Sequence, residues 1–218
     1  MTPALTLFVI LVGAYLIGAI PFGLIIGKMK GVNIRDHGSG NIGATNVLRV
    51  LGKPLGITCF ILDFGKGLVP VLLARQLCQH QAPEWIDWLP LTAVFATVLG
   101  HVFSCFVNFK GGKGVATSAG AIMAVAPLPT TAALVVWLIV FRLSGYVSLG
   151  SIVAAFALPL CAVFQGRLYG DKLLPLPSLI LFTVMAILVI WLHRANITRL
   201  RNGTESSFKR KKEAEESK

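Results

Sequence analysis

The sequence predicts an all-α polytopic membrane protein with seven transmembrane helices, and three observations carry that prediction. The chain of 218 residues is 55% hydrophobic and only 13% charged, with a mean hydropathy of +0.77. Soluble domains carry about 25% charged residues. The apolar runs are long: residues 2–27, 88–109, 114–141, 143–166 and 173–192 hold no Asp, Glu, Lys or Arg, and about 20 apolar residues cross a bilayer. Positive charge falls instead into a few short loops and the carboxyl-terminal tail. The net charge of +11 therefore reads as membrane topology and does not point to nucleic acid.

The elements follow in order. The first run, 4–27, begins after "MTP" with no basic stretch and is too long for a removable leader, so it reads as a retained span. Spans at 54–75 and 88–109 come next. As one straight helix, 114–141 would measure about 42 Å against a hydrocarbon core of about 30 Å. The "PLP" at 127–129 would also break it, because proline lacks a backbone donor. Two short segments, 114–126 and 130–142, replace it, and spans at 147–166 and 173–193 complete the set. Charge decides this count. With seven spans and an external amino terminus, Lys28, Lys30, Arg35, Arg49, Lys53, Lys110, Lys113 and Arg142 all fall on the cytoplasmic side, with the tail's Arg194, Arg199, Arg201, Lys209, Arg210, Lys211, Lys212 and Lys218. Arg75, Arg167 and Lys172 fall outside, and Lys66 lies within a span. Treating 114–141 as one span would send Arg142 and the whole tail to the wrong side. The membrane domain is expected to cover 1–201, with 202–218 a disordered, charged cytoplasmic tail. Cys59, Cys78, Cys105 and Cys161 have no paired spacing, which argues against a zinc site or a disulfide framework.

This topology places every polar, glycine-rich stretch on one face: 31–53, 108–114 and 142–150, with 193–201 beside them. In "FKGGKGVATS", Gly111, Gly112 and Gly114 let backbone N–H groups approach an anion, and Lys113 adds a point charge. A helix beginning near Val115 would add its positive N-terminal end. The stretch reads as a phosphate cradle at a membrane surface; a basic turn that only anchors topology is the competing reading. It is not a Walker A motif, since Gly114 stands where Ser or Thr is required. "GSGNIG" (38–43) matches a dinucleotide fingerprint, but no strand precedes it.

The loop "NIRDHGSGNIGATNVLR" (33–49) gathers Ser39, Asn41, Thr45, Asn46 and Arg49, donors suited to a polyol phosphate, with Arg49 able to grip phosphate by two hydrogen bonds. Ser, Asn and Gly are equally common in solvated turns. "LSGYVSLGS" (143–151) places Ser144 and Ser148 on one face if that turn is helical, and "HRANITRL" (193–200) sets His193 and Asn196 one turn apart. His101, about two turns before the glycine loop, is an intramembrane ionisable group and so a functional candidate, or a residue that orients the loop. Asp63 and Lys66 are expected to form a structural pair within the second span.

Together "GSGNIGATNVLR", "GHVFSCFVNFKGGKGVAT", "SGYVSLGS" and "HRANITRL" resemble the bacterial acyl-phosphate:glycerol-3-phosphate acyltransferase family, over residues 1 to about 201. The resemblance implies seven spans in the bacterial inner membrane with the site facing the cytoplasm. It implies transfer of a fatty acyl group from acyl phosphate to the 1-hydroxyl of glycerol 3-phosphate, giving lysophosphatidic acid and phosphate. By position, Ser39 and Arg49 resemble ligands of glycerol 3-phosphate, with Asn41 close by. Lys113 and the glycines resemble the phosphate loop, and Ser148, His193 and Asn196 further substrate contacts, with Ser144 less securely placed.

The residues suit that chemistry. No G-x-S-x-G elbow is present, and the residues five after the histidines are Ile42, Trp85, Phe106 and Thr198, none acidic. An acyl phosphate is already activated, so positioning and charge stabilisation are the main requirements. The resemblance implies a substrate phosphate oxygen as base, with His101 or His193 as further acid–base candidates. No carboxylate cluster suggests a metal, and no cofactor is implied. A carrier for phosphate or an organic phosphate is the alternative reading, since short broken segments resemble transporter half-helices; the one-sided polar groups and the lack of an internal repeat favour the enzyme.

Overall fold

Prolines set most of the helix starts. The computed structural model describes residues 2–81, 88–168 and 174–209, and among these every regular element is helical. α1 (Pro3–Ala19) carries proline in its first turn, where the missing N–H costs nothing, and Thr2 caps it by accepting from Leu5 N. α2 (Phe22–Met29) follows Pro21. α3 (Ala44–Leu51) and α4 (Lys53–Gln81) come next, then α5 (Leu89–Val102), α6 (Val115–Met123) and α7 (Pro127–Ser144). α8 (Val147–Leu168), α9 (Leu176–Leu192) and α10 (Arg194–Arg201) complete the chain. The expected break at "PLP" is present, because α7 begins at Pro127.

Among the described residues, five segments are long and apolar enough to cross a membrane alone: Ala4–Met29, Lys53–Gln79, Leu89–Val107, Pro127–Ser144 and Val147–Gly166. α9 and α10 form a bent pair, 54° apart, which raises the number to six if counted as one span. α6, with nine residues, reaches only about 13.5 Å at 1.5 Å per residue. Among the described residues, length and composition thus support five or six spans where charge counting predicts seven. Of the charges in that count, Lys172, Arg210, Lys211, Lys212 and Lys218 lie outside the described residues, as does the 210–218 part of the expected tail.

The chain divides into two compact units, Met1–Val125 and Ala126–Lys218. In the first, helices meet through glycines. Gly18 of α1 faces the Thr97 carbonyl of α5 and Gly100 of α5 faces the Tyr15 carbonyl of α1, each too close for a Cβ. Gly67 of α4 and Gly120 of α6 pair in the same way with Thr117 and Phe64. In lipid, where apolar burial gives little drive to association, such close backbone approach supplies the packing.

The first run is not one helix. The chain breaks at Ile20–Pro21, and the break frees carbonyls that the bilayer cannot satisfy. Ser104 Oγ donates to Ala19 O at 2.6 Å, and Lys66 Nζ donates to Ile20 O at 2.7 Å. Lys66 is paired in turn with Asp63 at 2.8 Å, both nearly inaccessible, as expected of a structural pair. In the second unit α7 ends at Gly145, whose φ of +76° and N–H to Phe141 O (2.7 Å) form a left-handed glycine cap.

Candidate functional site

The 33–43 loop is built around a buried asparagine. Asn46, in the first turn of α3, donates from Nδ2 to the carbonyls of Ile34 and His37, both at 3.0 Å, and accepts from Ser39 N at 2.8 Å. The loop is thereby wrapped on a single amide, and Ser39 is held exposed at its tip. Gly38 and Gly40 take positive φ. Asn41 Oδ1 accepts from Gly43 N at 2.8 Å and orders the entry to α3. Arg49 lies half-buried in that helix's last turn.

The glycine loop folds back on the end of α5. Asn108 and Phe109 adopt left-handed φ values of 55° and 57°, turning the chain so that Gly111 N bonds Val102 O at 3.0 Å and Gly112 N bonds His101 O at 3.1 Å. Gly114, at φ +75°, starts α6 as expected. Lys113 is half-buried between these anchors. Arg35 Nη2 donates to Lys110 O at 2.6 Å, tying the glycine loop to the 33–43 loop. The first unit therefore brings these two polar stretches together.

His101 sits beneath the loop, 5% exposed. Its Nδ1 is 3.1 Å from Thr117 Oγ1 of α6 and 3.8 Å from Asp63 Oδ1 of α4, and its ring lies flush against Gly112. Ring, loop and three helices are thus in register. Ser118, one turn into α6, buries a hydroxyl that bonds no described protein group, beside Gly114.

In the second unit, Ser144 and Ser148 do not share a helical face. Gly145 ends α7 after Ser144, whereas Ser148 belongs to α8. Ser144 Oγ donates to Val140 O at 2.7 Å and accepts from Tyr146 N at 3.2 Å, a role within the turn. His193 stands at the bend between α9 and α10; its Nδ1 lies 2.7 Å from Val189 O, an acceptor, so that nitrogen carries the proton. Ser148 Oγ and Asn196 Nδ2 converge on one oxygen, Glu205 Oε1, each at 2.7 Å. Arg199 Nε donates to Glu205 Oε2 at 2.7 Å. Burial alone would raise the Glu205 pKa, but these three donors and the Arg199 charge hold it below the usual carboxylate range.

Sequence reasoning left out Arg35, Thr117, Ser118 and Glu205 as site residues, and treated Asn46 only as one donor among several. Thr117 follows the glycine loop at a spacing that puts it one turn into α6, a legible signal. Glu205 was assigned to the expected tail beyond residue 201, yet it is only 5% exposed.

A family model described as glycerol-3-phosphate acyltransferase matches residues 8–203. A glycerol-3-phosphate acyltransferase from Geotalea daltonii is 49% identical over 202 residues, 93% of this chain and 97% of that protein. The crystal structure of PlsY, an integral membrane glycerol 3-phosphate acyltransferase, in its glycerol 3-phosphate form superposes with a TM-score of 0.82 at 41% identity, covering 93% of this chain and 95% of that one. Its lysophosphatidic acid form gives 0.79 at the same identity and coverage.

Proposed function

The chain belongs to the glycerol-3-phosphate acyltransferase family, and on that footing we propose how its residues share the work. The enzyme is integral to the membrane and transfers a fatty acyl group to glycerol 3-phosphate, giving lysophosphatidic acid. Acyl phosphate is the donor, the 1-hydroxyl the acceptor and inorganic phosphate the second product. The observation that carries this reading is the anchored glycine loop: two amides bonded back to α5 hold Gly111, Gly112, Lys113 and Gly114 at the start of α6. Contrary to the sequence reading, the N–H groups of Gly111 and Gly112 do not face an anion, being engaged by carbonyls of α5; the donors for a phosphate are the peptide N–H groups at the start of α6, and Lys113 adds charge. Ser39 and Arg49 take glycerol 3-phosphate, with Asn41 ordering their loop. Two anionic reactants repel each other, so Lys113 and Arg49 offset that repulsion.

An acyl phosphate needs no covalent enzyme intermediate, and positioning supplies most of the acceleration. A phosphate oxygen of a substrate serves as base for the attacking hydroxyl. His101, buried under the loop, acts by orienting it. In the second unit Ser148, His193 and Asn196 are substrate contacts. We further propose seven spans, α6 being one short segment, with the amino terminus outside and the polar loops and carboxyl terminus cytoplasmic, as the positive charges favour.

Purified protein given acyl phosphate and labelled glycerol 3-phosphate is expected to yield labelled lysophosphatidic acid. Lys113→Ala and Arg49→Ala should each lower kcat/KM by about 100-fold or more, the scale of losing one charge-stabilising donor. No product from well-folded protein, with uptake of glycerol 3-phosphate into liposomes, would establish a carrier instead.

A further inference from the structure

Ser39 sits at a loop tip whose own backbone would not hold it still. It stands between Gly38 and Gly40, at φ +61° and +69°, and glycine leaves the chain more conformational freedom to lose than any other residue. The tip is fixed from below, by Asn46. Asn46 Oδ1 accepts from Ser39 N at 2.8 Å, and Nδ2 donates to Ile34 O and His37 O, each at 3.0 Å. Two carbonyls on the nitrogen side and one N–H on the oxygen side leave the amide a single orientation. Neither N–H is then left for a substrate, so Asn46 is not the direct polyol donor that its place in the sequence suggests.

Asn46 is 1% exposed. It precedes Val47 and bonds Ile34 O, and both residues belong to an apolar cluster with Ile26 and Ile42. A polar group in such a place is costly unless its partners are present, so the three bonds hold as a set. What they join matters for the reaction. Arg49 lies on the same short helix, α3, three positions after Asn46. The Ser39 peptide is thus tied directly to the helix that carries Arg49. Gly38 makes the tie possible, because a Cβ there would collide with Asn46 Oδ1.

From this we infer that Asn46 is a positioning residue for acyl transfer, which fixes the Ser39 tip relative to Arg49 so that the pair receives glycerol 3-phosphate ready-formed. A loop that must be ordered on binding weakens that binding, so the effect falls on one substrate. The inference rests on the reading of Ser39 and Arg49 as ligands of glycerol 3-phosphate.

Steady-state kinetics of the full-length protein test it. Asn46→Ala should raise KM for glycerol 3-phosphate about tenfold while KM for acyl phosphate stays within about twofold. In a Ser39→Ala background, adding Asn46→Ala should raise that KM at most about threefold more, because residues that act as a unit are not additive. If Asn46→Ala misfolds, Gly38→Ala makes the same comparison, since it displaces Oδ1 from Ser39 N and leaves Asn46 in the chain. Both KM values rising by the same factor, equal factors in the two backgrounds, or a fall in kcat alone would overturn the inference and leave Asn46 a support of the fold. An unchanged KM for glycerol 3-phosphate in Ser39→Ala would instead remove the ligand reading of Ser39, and the inference with it.

Discussion

Gly112→Ala tests whether the loop is held by contact with His101. The added Cβ would stand 3.0 Å from His101 Cε1 and 3.2 Å from Cδ2, and closer still to Nε2, whereas ordinary contact begins at 3.4 Å. The ring has little room to yield, because Nδ1 is engaged by Thr117 and the residue is 5% exposed. Clearing the overlap takes a shift on the order of 1 Å, borne by the loop or by the ring in a close-packed interior. Overpacking of this kind costs about 1–3 kcal/mol of stability. A misplacement of about 1 Å at catalytic groups costs about 100-fold in rate, or roughly 2.7 kcal/mol of activation free energy. Gly112→Ala should therefore lower kcat/KM about 100-fold in the acyl phosphate assay, with the protein still folded by thermal melting in detergent. Trimming the ring makes space, so His101→Ala added to Gly112→Ala should be no worse than His101→Ala alone. Gly112→Ala activity within about threefold of the parent would refute the argument, since the loop would then tolerate a displaced anchor.

Two further outcomes follow from other contacts. Glu205 has a folded-state pKa lowered by its three donors and the Arg199 charge, so its contribution to stability is present above the unfolded carboxylate value of about 4.3 and is lost as pH falls through the folded value, which lies lower; acid that protonates it should release the segment after α10 to limited proteolysis, and Glu205→Gln should lack that acid step. Gly67→Val should cost about 1–3 kcal/mol by thermal melting, because its side chain would meet the Thr117 backbone across the α4–α6 crossing, and an unchanged melting temperature would mean that the crossing is looser than described.

The sequence showed what is local. Prolines, glycines and silent stretches of charge predicted the helical class, the break at Pro127 and the start of α6, because each acts within a few residues. The turn at Gly145 was equally local, and reading 143–151 as one face overlooked a glycine that ends helices. Other features depend on partners far along the chain. Glu205 was hidden because composition averages over a tail, whereas its burial depends on Ser148, 57 positions away. His101 was recognised as unusual, but its duty under the loop follows from Thr117 and Gly112, which only the folded chain sets beside it.

Pro21 shows why the same limit holds inside the bilayer. A proline in an apolar run announces a possible break, but a break survives there only if the freed carbonyls find donors. Those donors, Ser104 and Lys66, lie 85 and 46 positions away. Lys66 therefore has two duties, to neutralise Asp63 and to satisfy Ile20 O, and substitutions can separate them. Lys66→Met leaves Asp63 as an uncompensated buried charge, at about 3–5 kcal/mol, and leaves Ile20 O unpaired, at about 1–3 kcal/mol. Adding Asp63→Leu removes the first penalty and keeps the second, so the double variant should melt above Lys66→Met. If the double variant instead melted lower than the single one, the ion pair would not be what makes Lys66 indispensable, and the break at Pro21 would need another support.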